Sequence, residues 1–187
     1  GSLMRILPLS LYVHRLSIDE IVARSFEISA LTHGHIRSCL CCAWYSLLVR
    51  HLVNGTPLVG AMARASEDLA PHVPPAEREV LLRVLSGSVI GEPESRIRGS
   101  GYVVHCLEAA LWCAARHGSY REAVLAAVNL GEDTDTTAAV TGGLAGVLHG
   151  LEAIPQEWRD AIARRDEVMA LLQEFADETY EFEFDNK

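Results

Sequence analysis

The residues best suited to chemistry lie in one short acidic stretch, Gly131-Glu132-Asp133-Thr134-Asp135-Thr136. Asp133, Asp135 and Thr136 place two carboxylates and a hydroxyl within four positions, and Mg²⁺ or Mn²⁺ prefers hard oxygen ligands of this kind. The same residue types are common helix N-caps, so a purely structural interpretation stays open. A metal is favoured because a cap needs only one side chain, and because Glu132 adds a third carboxylate whose repulsion a cation would offset.

This stretch resembles the C-terminal metal motif of the ADP-ribosylglycohydrolases, usually written G-G-D-T-D-T. The similarity continues through residues 100–104 and 107–112, and it reaches back to residues 32–35 and 1–5. These motifs follow the order of the family and cover most of the chain. The resemblance implies a metal-dependent hydrolase that removes ADP-ribose from a modified protein side chain or a related conjugate.

The same resemblance implies roles for particular residues. Asp133, Asp135 and Thr136 would bind metal, in a site that holds two Mg²⁺ or Mn²⁺ ions, and Asp133 and Asp135 would be the catalytic residues. The residues expected to contact the substrate are His33, Gly101, Tyr102, Gly131 and Glu132. Cleaving the glycosidic bond develops oxocarbenium character at the ribose carbon, and a cation can hold ribose hydroxyls beside an activated water. Glu132 stands where the family motif has its second Gly, which leaves the substrate choice open.

The family carries a second acidic motif nearer its N-terminus, and these 187 residues do not supply it. We therefore expect the chain to be the C-terminal part of a larger domain, with its own N-terminal segment as the partner that completes the site. Two alternatives stay open. The chain is a non-catalytic relative that binds ADP-ribose or is structural, as in lens crystallins that resemble this family, or it is a fragment inactive without its N-terminal half.

Several of these residues also have ordinary interpretations. A His at a helix junction, such as His33, usually caps the helix or packs at the surface. His35, Cys39 and Cys42 share one helical face and would suit zinc, but buried thiols are favoured because a fourth ligand is missing nearby. The five cysteines form no regular framework, which favours a reducing compartment, and we expect a cytoplasmic protein.

Bulk composition favours one globular domain over residues 1–187. The chain is 49% hydrophobic and 22% charged, which is ordinary for a soluble globule. Its apolar stretches are too short or too interrupted to span a bilayer, and we expect neither a secretory signal nor a membrane partner. The net charge of −9 makes nucleic acid an unlikely partner.

Periodicity and capping signals predict an all-α fold of many helices. Ser17 and Glu20 form a capping box for a helix that reaches about Leu31, with Ile21, Val22 and Leu31 among its buried positions. Further helices are predicted over residues 36–53, 75–86, 102–116, 120–130 and 136–149. Two more should begin at residues 57 and 155, and a last helix should end at about residue 178. Residues 86–101 should form an exposed loop. Residues 179–187 should form an acidic tail, either a strand or an extended arm.

Overall fold

The computed structural model describes the backbone of residues 1–185 and confirms the all-α class, with no strand in that range. Its helices, in chain order, are α1 (Ile6–Tyr12), α2 (Ile18–Ala30), α3 (Ile36–Val53), α4 (Leu58–Leu69), α5 (Pro75–Arg78), α6 (Leu82–Leu85), α7 (Val103–Arg116), α8 (Tyr120–Asn129), α9 (Thr134–His149), α10 (Gln156–Asp160) and α11 (Arg165–Asp185). Short 3₁₀ turns connect several of them. No helix within this range is both long enough and apolar enough to cross a lipid bilayer.

The core forms around α3 and α7. Every residue of α3 from Ser38 to Val49 is buried, which is typical of a helix that is covered on all sides. Helices α1, α2, α4, α7 and α9 pack against it. Removing side chains such as Trp44 and Leu47 from water stabilises the fold by about 1.5–3 kcal/mol each. The two central helices therefore form a rigid support for the loops at their N-terminal ends.

The start of α2 follows its sequence signals. Ser17 Oγ accepts a hydrogen bond from the Glu20 amide at 3.3 Å, and the Ser17 amide donates to Glu20 Oε2 at 3.0 Å. Ile21 and Val22 are buried, as expected. The prediction for Leu31 is wrong, because this side chain is 74% exposed. The helix ends at Ala30, and at 100° per residue Leu31 lies away from the buried face.

Other boundaries differ from the predictions. The helix expected over residues 75–86 is divided into α5 and α6, and the loop expected to be exposed contains 3₁₀ turns and buries Val89 and Ile97. Helix α9 begins at Thr134, two residues earlier than predicted. Residues 179–185 continue α11, so the predicted strand or extended arm is wrong there. Asn186 and Lys187 lie outside the described residues.

Helices α8 and α9 approach closely where α9 carries small residues. A Cβ on Gly142 would lie 3.2 Å from Tyr120 Oη, and one on Gly146 would lie 4.0 Å from the same ring. The two helices therefore pack closely at these glycines. The contact fixes the axis of α9, and therefore the position of the acidic residues at its first turn.

Candidate active site

The N-terminal ends of α3, α7 and α9 converge on one cavity of about 270 Å³. Backbone amides and the positive end of the helix dipole make such ends favourable for anions. The cavity is lined by Gly1, Ser2, Leu3, Met4, His33, His35, Arg37, Ser38, Gly101, Tyr102, Val103, Cys106 and Thr136. Four of the residues expected at the site are in this set: His33, Gly101, Tyr102 and Thr136. A larger groove of about 620 Å³ beside α4 contains none of them.

Asp133 and Asp135 are not among the lining residues, but Asp133 lies against Gly101, which is one of them. A Cβ added to Gly101 would lie only 2.3 Å from Asp133 Oδ2, so no larger residue fits without displacing the carboxylate. The Asp133 amide donates to the Gly99 carbonyl at 2.8 Å, and Thr137 Oγ1 donates to the same carbonyl at 3.2 Å. These contacts join the segment before α7 to the acidic turn before α9. The joined segments hold the Asp133 side chain against the cavity wall.

The acidic turn reaches this position through an unusual backbone. Gly131 and Glu132 both have positive φ, at 79° and 59°. Glycine accepts this region freely, whereas a residue with a Cβ is strained there by about 1 kcal/mol. Two consecutive positive φ values turn the chain sharply after α8. Asp133 then follows as the N-cap residue of α9.

The candidate oxygen ligands at the start of α9 are only partly used in hydrogen bonds to their own helix. Asp133 occupies the N-cap position, yet its side chain makes no capping hydrogen bond. Interactions with the side chains of Thr136 and then Asp135 lower the pKa of the Asp133 carboxyl. Asp135 Oδ1 accepts the Thr136 amide at 2.9 Å. Two neighbouring carboxylates and a hydroxyl are thus presented together, and carboxylates so placed repel each other unless a proton or a cation lies between them.

His33 and Tyr102 lie at other parts of the cavity wall. His33 Nδ1 is 2.7 Å from Thr32 Oγ1, and its ring packs against Gly1. Tyr102 is the N-cap residue of α7 and is 39% exposed, and its ring contacts His105 edge-on at 4.9 Å between centroids. Both rings therefore offer surfaces and hydrogen-bonding groups to a ligand in the cavity.

Two of the expected substrate contacts lie apart from the cavity lining. Gly131 serves the turn, and its carbonyl oxygen is so close that a Cβ on Gly99 would lie 2.6 Å away. Glu132 is directed to Arg98, with 3.6 Å between Glu132 Oε2 and the guanidinium. A direct contact between Glu132 and the substrate therefore stays a prediction, and the cavity lining does not support it.

The histidine and thiols of α3 are engaged elsewhere. His35 caps α3, with Nδ1 accepting the Arg37 amide at 3.2 Å, while Cys42 Sγ contacts Ser2 Oγ at 3.5 Å. All five cysteines are free and buried, as expected for packed thiols. Burial, followed by the nearby Asp133 charge, raises the pKa of Cys106 to about 12. Within the part of the chain that the structure describes, no three His, Cys, Asp or Glu side chains form a group that could hold a metal ion.

The sequence interpretation missed Arg37, whose side chain lines the cavity. A signal was present, because a basic residue in the first turn of a helix opposes the helix dipole and needs a compensating partner. That partner is Glu77 on α5, which is 40 positions away in the chain and could not be identified by spacing. Another buried acidic residue, Glu108, lies outside the cavity lining, where it pairs with Arg83 at 3.4 Å and burial raises its pKa.

Comparison with known proteins agrees with this fold. A sequence model of the ADP-ribosylglycohydrolase family matches residues 1–183, and the chain belongs to this family. It is 32% identical over 174 residues to ADP-ribosylarginine hydrolase Tri1 of Serratia proteamaculans (strain 568), covering 93% of this chain and 45% of that protein. It is 26% identical over 160 residues to ADP-ribosyl-[dinitrogen reductase] glycohydrolase of Rhodospirillum rubrum, covering 84% of this chain and 48% of that protein.

A solved structure described as an ADP-ribosylglycohydrolase-related protein complex has the same fold. It superposes with a TM-score of 0.80 at 33% identity, covering 97% of this chain and 59% of that chain. The chain spans about half the length of the relatives named above. The agreement in fold extends over nearly all of the chain and includes the helices that form the cavity.

Proposed function

We propose that this chain carries part of the active site of a metal-dependent hydrolase that removes ADP-ribose from a modified protein side chain or a related conjugate. The observation that carries the proposal is the contact of Gly101 with the Asp133 carboxylate at the cavity wall. This contact brings the Asp133 carboxylate close to a cavity lined by His33, Tyr102 and Thr136. The names of the relatives, which act on ADP-ribosyl-arginine and ADP-ribosyl-dinitrogen reductase, support the choice of substrate.

The residues present fit a Mg²⁺ or Mn²⁺ ion. Asp133, Asp135 and Thr136 offer only oxygen atoms, which these hard cations prefer. Gly101 leaves the Asp133 carboxylate room that any side chain would fill. When bound, the cation would polarise oxygen groups of the substrate and lower the pKa of an attacking water.

The other residues bind and orient the ligand. The amides at the start of α7, next to Gly101, are suited to an anionic oxygen, since no side chain caps that helix. His33 offers a ring nitrogen, and Tyr102 offers an aromatic face and a phenolic oxygen, to the sugar or base. Cys106 is a buried, neutral thiol in the wall, so it shapes the cavity and takes no part as a nucleophile.

The divided character of the site is part of the proposal. Two carboxylates and a hydroxyl supply at most one side of an octahedral shell, and a second cation needs further carboxylates. We propose that the N-terminal segment of the larger domain supplies them. The chain alone should therefore bind Mn²⁺ weakly and hydrolyse little substrate.

The test is a Mn²⁺ titration of the chain, followed by the electron paramagnetic resonance signal of the free ion, with and without ADP-ribose. Asp133→Asn and Asp135→Asn should each weaken binding at least about tenfold. Asp19→Asn, an exposed carboxylate paired with His72, is the matched control and should leave it unchanged. Equal Mn²⁺ binding by all four proteins would refute the ligand assignment. Efficient hydrolysis of ADP-ribosylated protein by residues 1–187 alone would refute the divided site.

A further inference from the structure

Arg37 joins three elements at the wall of the cavity. Its Nε donates to Glu77 Oε2 at 2.6 Å, which ties the first turn of α3 to α5. Its Nη1 donates to Tyr102 Oη at 3.3 Å, which reaches the start of α7. The side chain of Glu77 is only 11% exposed, whereas that of Arg37 is 34% exposed. The guanidinium is therefore fixed from its buried side and open on the side of the cavity.

The guanidinium has hydrogen-bond donors to spare. Of its five N–H groups, Glu77 takes one and Tyr102 takes another. The remaining three have no hydrogen-bond acceptor among the described residues. A planar donor set of this kind matches the oxygen atoms of a phosphate group. The open donors thus specify an anionic oxygen ligand.

Arg37 occupies a position that is electrostatically unfavourable for a cation. A cation in the first turn of α3 is repelled by the positive end of the helix dipole. Glu77 offsets this charge, but a neutral side chain at residue 37 would avoid the cost without needing Glu77. The ends of α7 and α9 bring further positive dipole ends to the same cavity. The combined potential favours an anionic group beside Arg37.

We propose that Arg37 recognises a phosphoryl group of the ligand, with Glu77 fixing its guanidinium and Tyr102 held by it at the cavity mouth. The inference rests on the proposed function, in which ADP-ribose supplies the phosphoryl group. The competing account is that Arg37 is only a structural link between α3, α5 and α7. The two accounts differ in which half of the Arg37–Glu77 pair matters for binding.

Arg37→Gln and Glu77→Gln form a matched pair, because both break the same ion pair and only the second keeps the guanidinium. Each variant of the chain is titrated with ADP-ribose and with inorganic diphosphate, without divalent metal, by amide chemical shifts, which report dissociation constants into the millimolar range. Arg37→Gln should weaken both ligands by about tenfold or more. Glu77→Gln keeps the guanidinium and loses only its fixed orientation, so it should weaken both ligands much less than Arg37→Gln while its melting temperature falls.

A third variant, Arg37→Lys, keeps the charge but replaces the planar set of five donors by a single ammonium group, so it should retain part of the affinity. Arg24→Gln breaks an exposed ion pair on α2 and should change nothing. If Arg37→Gln and Glu77→Gln weaken binding equally, or if Arg37→Gln has no effect, the assignment is wrong and the proposed function stands. If the wild-type chain binds neither ligand, the assignment of Arg37 is also wrong, whereas the proposed function is decided separately by the Mn²⁺ titration.

Discussion

The N-terminal ends of α2 and α9 carry similar polar side chains, but these side chains have different hydrogen-bonding roles. At α2, Ser17 and Glu20 satisfy each other's amides in a closed set of hydrogen bonds. At α9, Asp133 stands in the N-cap position and its side chain makes no capping hydrogen bond. Its carboxylate instead faces Thr136, Asp135 and Gly101. A side chain that caps its own helix stabilises the fold, whereas a carboxylate that makes no capping hydrogen bond is available to a ligand.

The largest expected effect comes from removing a charge at α9. Asp133→Asn or Asp135→Asn in the complete enzyme should abolish hydrolysis, since each removes an anionic oxygen ligand from the proposed cation. The helical circular dichroism signal should change little, because Asp133 makes no capping hydrogen bond and Asp135→Asn keeps a side-chain oxygen that can accept the Thr136 amide. If both variants retained hydrolysis at saturating metal, the carboxylates of α9 would not be metal ligands. The proposed functional difference between the starts of α2 and α9 would then be wrong.

Gly101→Ala should have the next largest effect. The added methyl group would lie 2.3 Å from Asp133 Oδ2, so the carboxylate or the segment before α7 must move. We expect Mn²⁺ binding to weaken about tenfold and the free energy of unfolding to fall by about 1–3 kcal/mol. Gly91→Ala is the control, because a Cβ there meets nothing within 4 Å. Identical behaviour of the two alanine variants would show that Asp133 does not depend on this contact.

Ser17→Ala should produce the opposite pattern at α2. Loss of the cap should lower the free energy of unfolding by about 1 kcal/mol, which is a fall of a few degrees in melting temperature. Mn²⁺ and ADP-ribose binding should be unaffected, because the α2 start is not part of the cavity lining. A loss of ligand affinity in this variant would mean that the two helix starts are coupled.

The smallest change is expected at Glu132. Glu132→Gly should leave stability unchanged or slightly higher, because glycine removes the strain of the positive φ while an exposed ion pair with Arg98 is lost. Glu132→Ala loses the ion pair but keeps the strain, so it should unfold more easily than Glu132→Gly by about 1 kcal/mol. Thermal or urea unfolding measures the difference. Equal stabilities would show that the turn is not strained.

Local signals predicted the helices well and the connections poorly. Capping at Ser17 and the apolar run of α3 depend on neighbours in the sequence, and both were predicted correctly. The break between α5 and α6 and the burial of Ile97 depend on packing against distant helices, which periodicity does not encode. The prediction for Leu31 was wrong because its position around the helix axis points away from the core, which leaves this apolar side chain exposed.

The candidate site shows the same division. The sequence spacing of Thr136 and Gly101 does not predict that they are neighbours, and only the family resemblance indicated it. The structure places both residues in the lining of the cavity. Arg37 escaped notice because its partner Glu77 is remote in sequence. The outward direction of Glu132 depends on a left-handed backbone and on Arg98, and neither is visible in a list of residue types.

The most direct test of the central claim is whether Mn²⁺ and ADP-ribose meet on this chain at Asp133. Paramagnetic broadening of the ribose protons of ADP-ribose by substoichiometric Mn²⁺ measures this by proton NMR. The account predicts that the wild-type chain increases the broadening beyond that of Mn²⁺ and ADP-ribose alone, and that Asp133→Asn removes the increase while Ser17→Ala does not. No increase with the wild type, or an equal increase with Asp133→Asn, would contradict it.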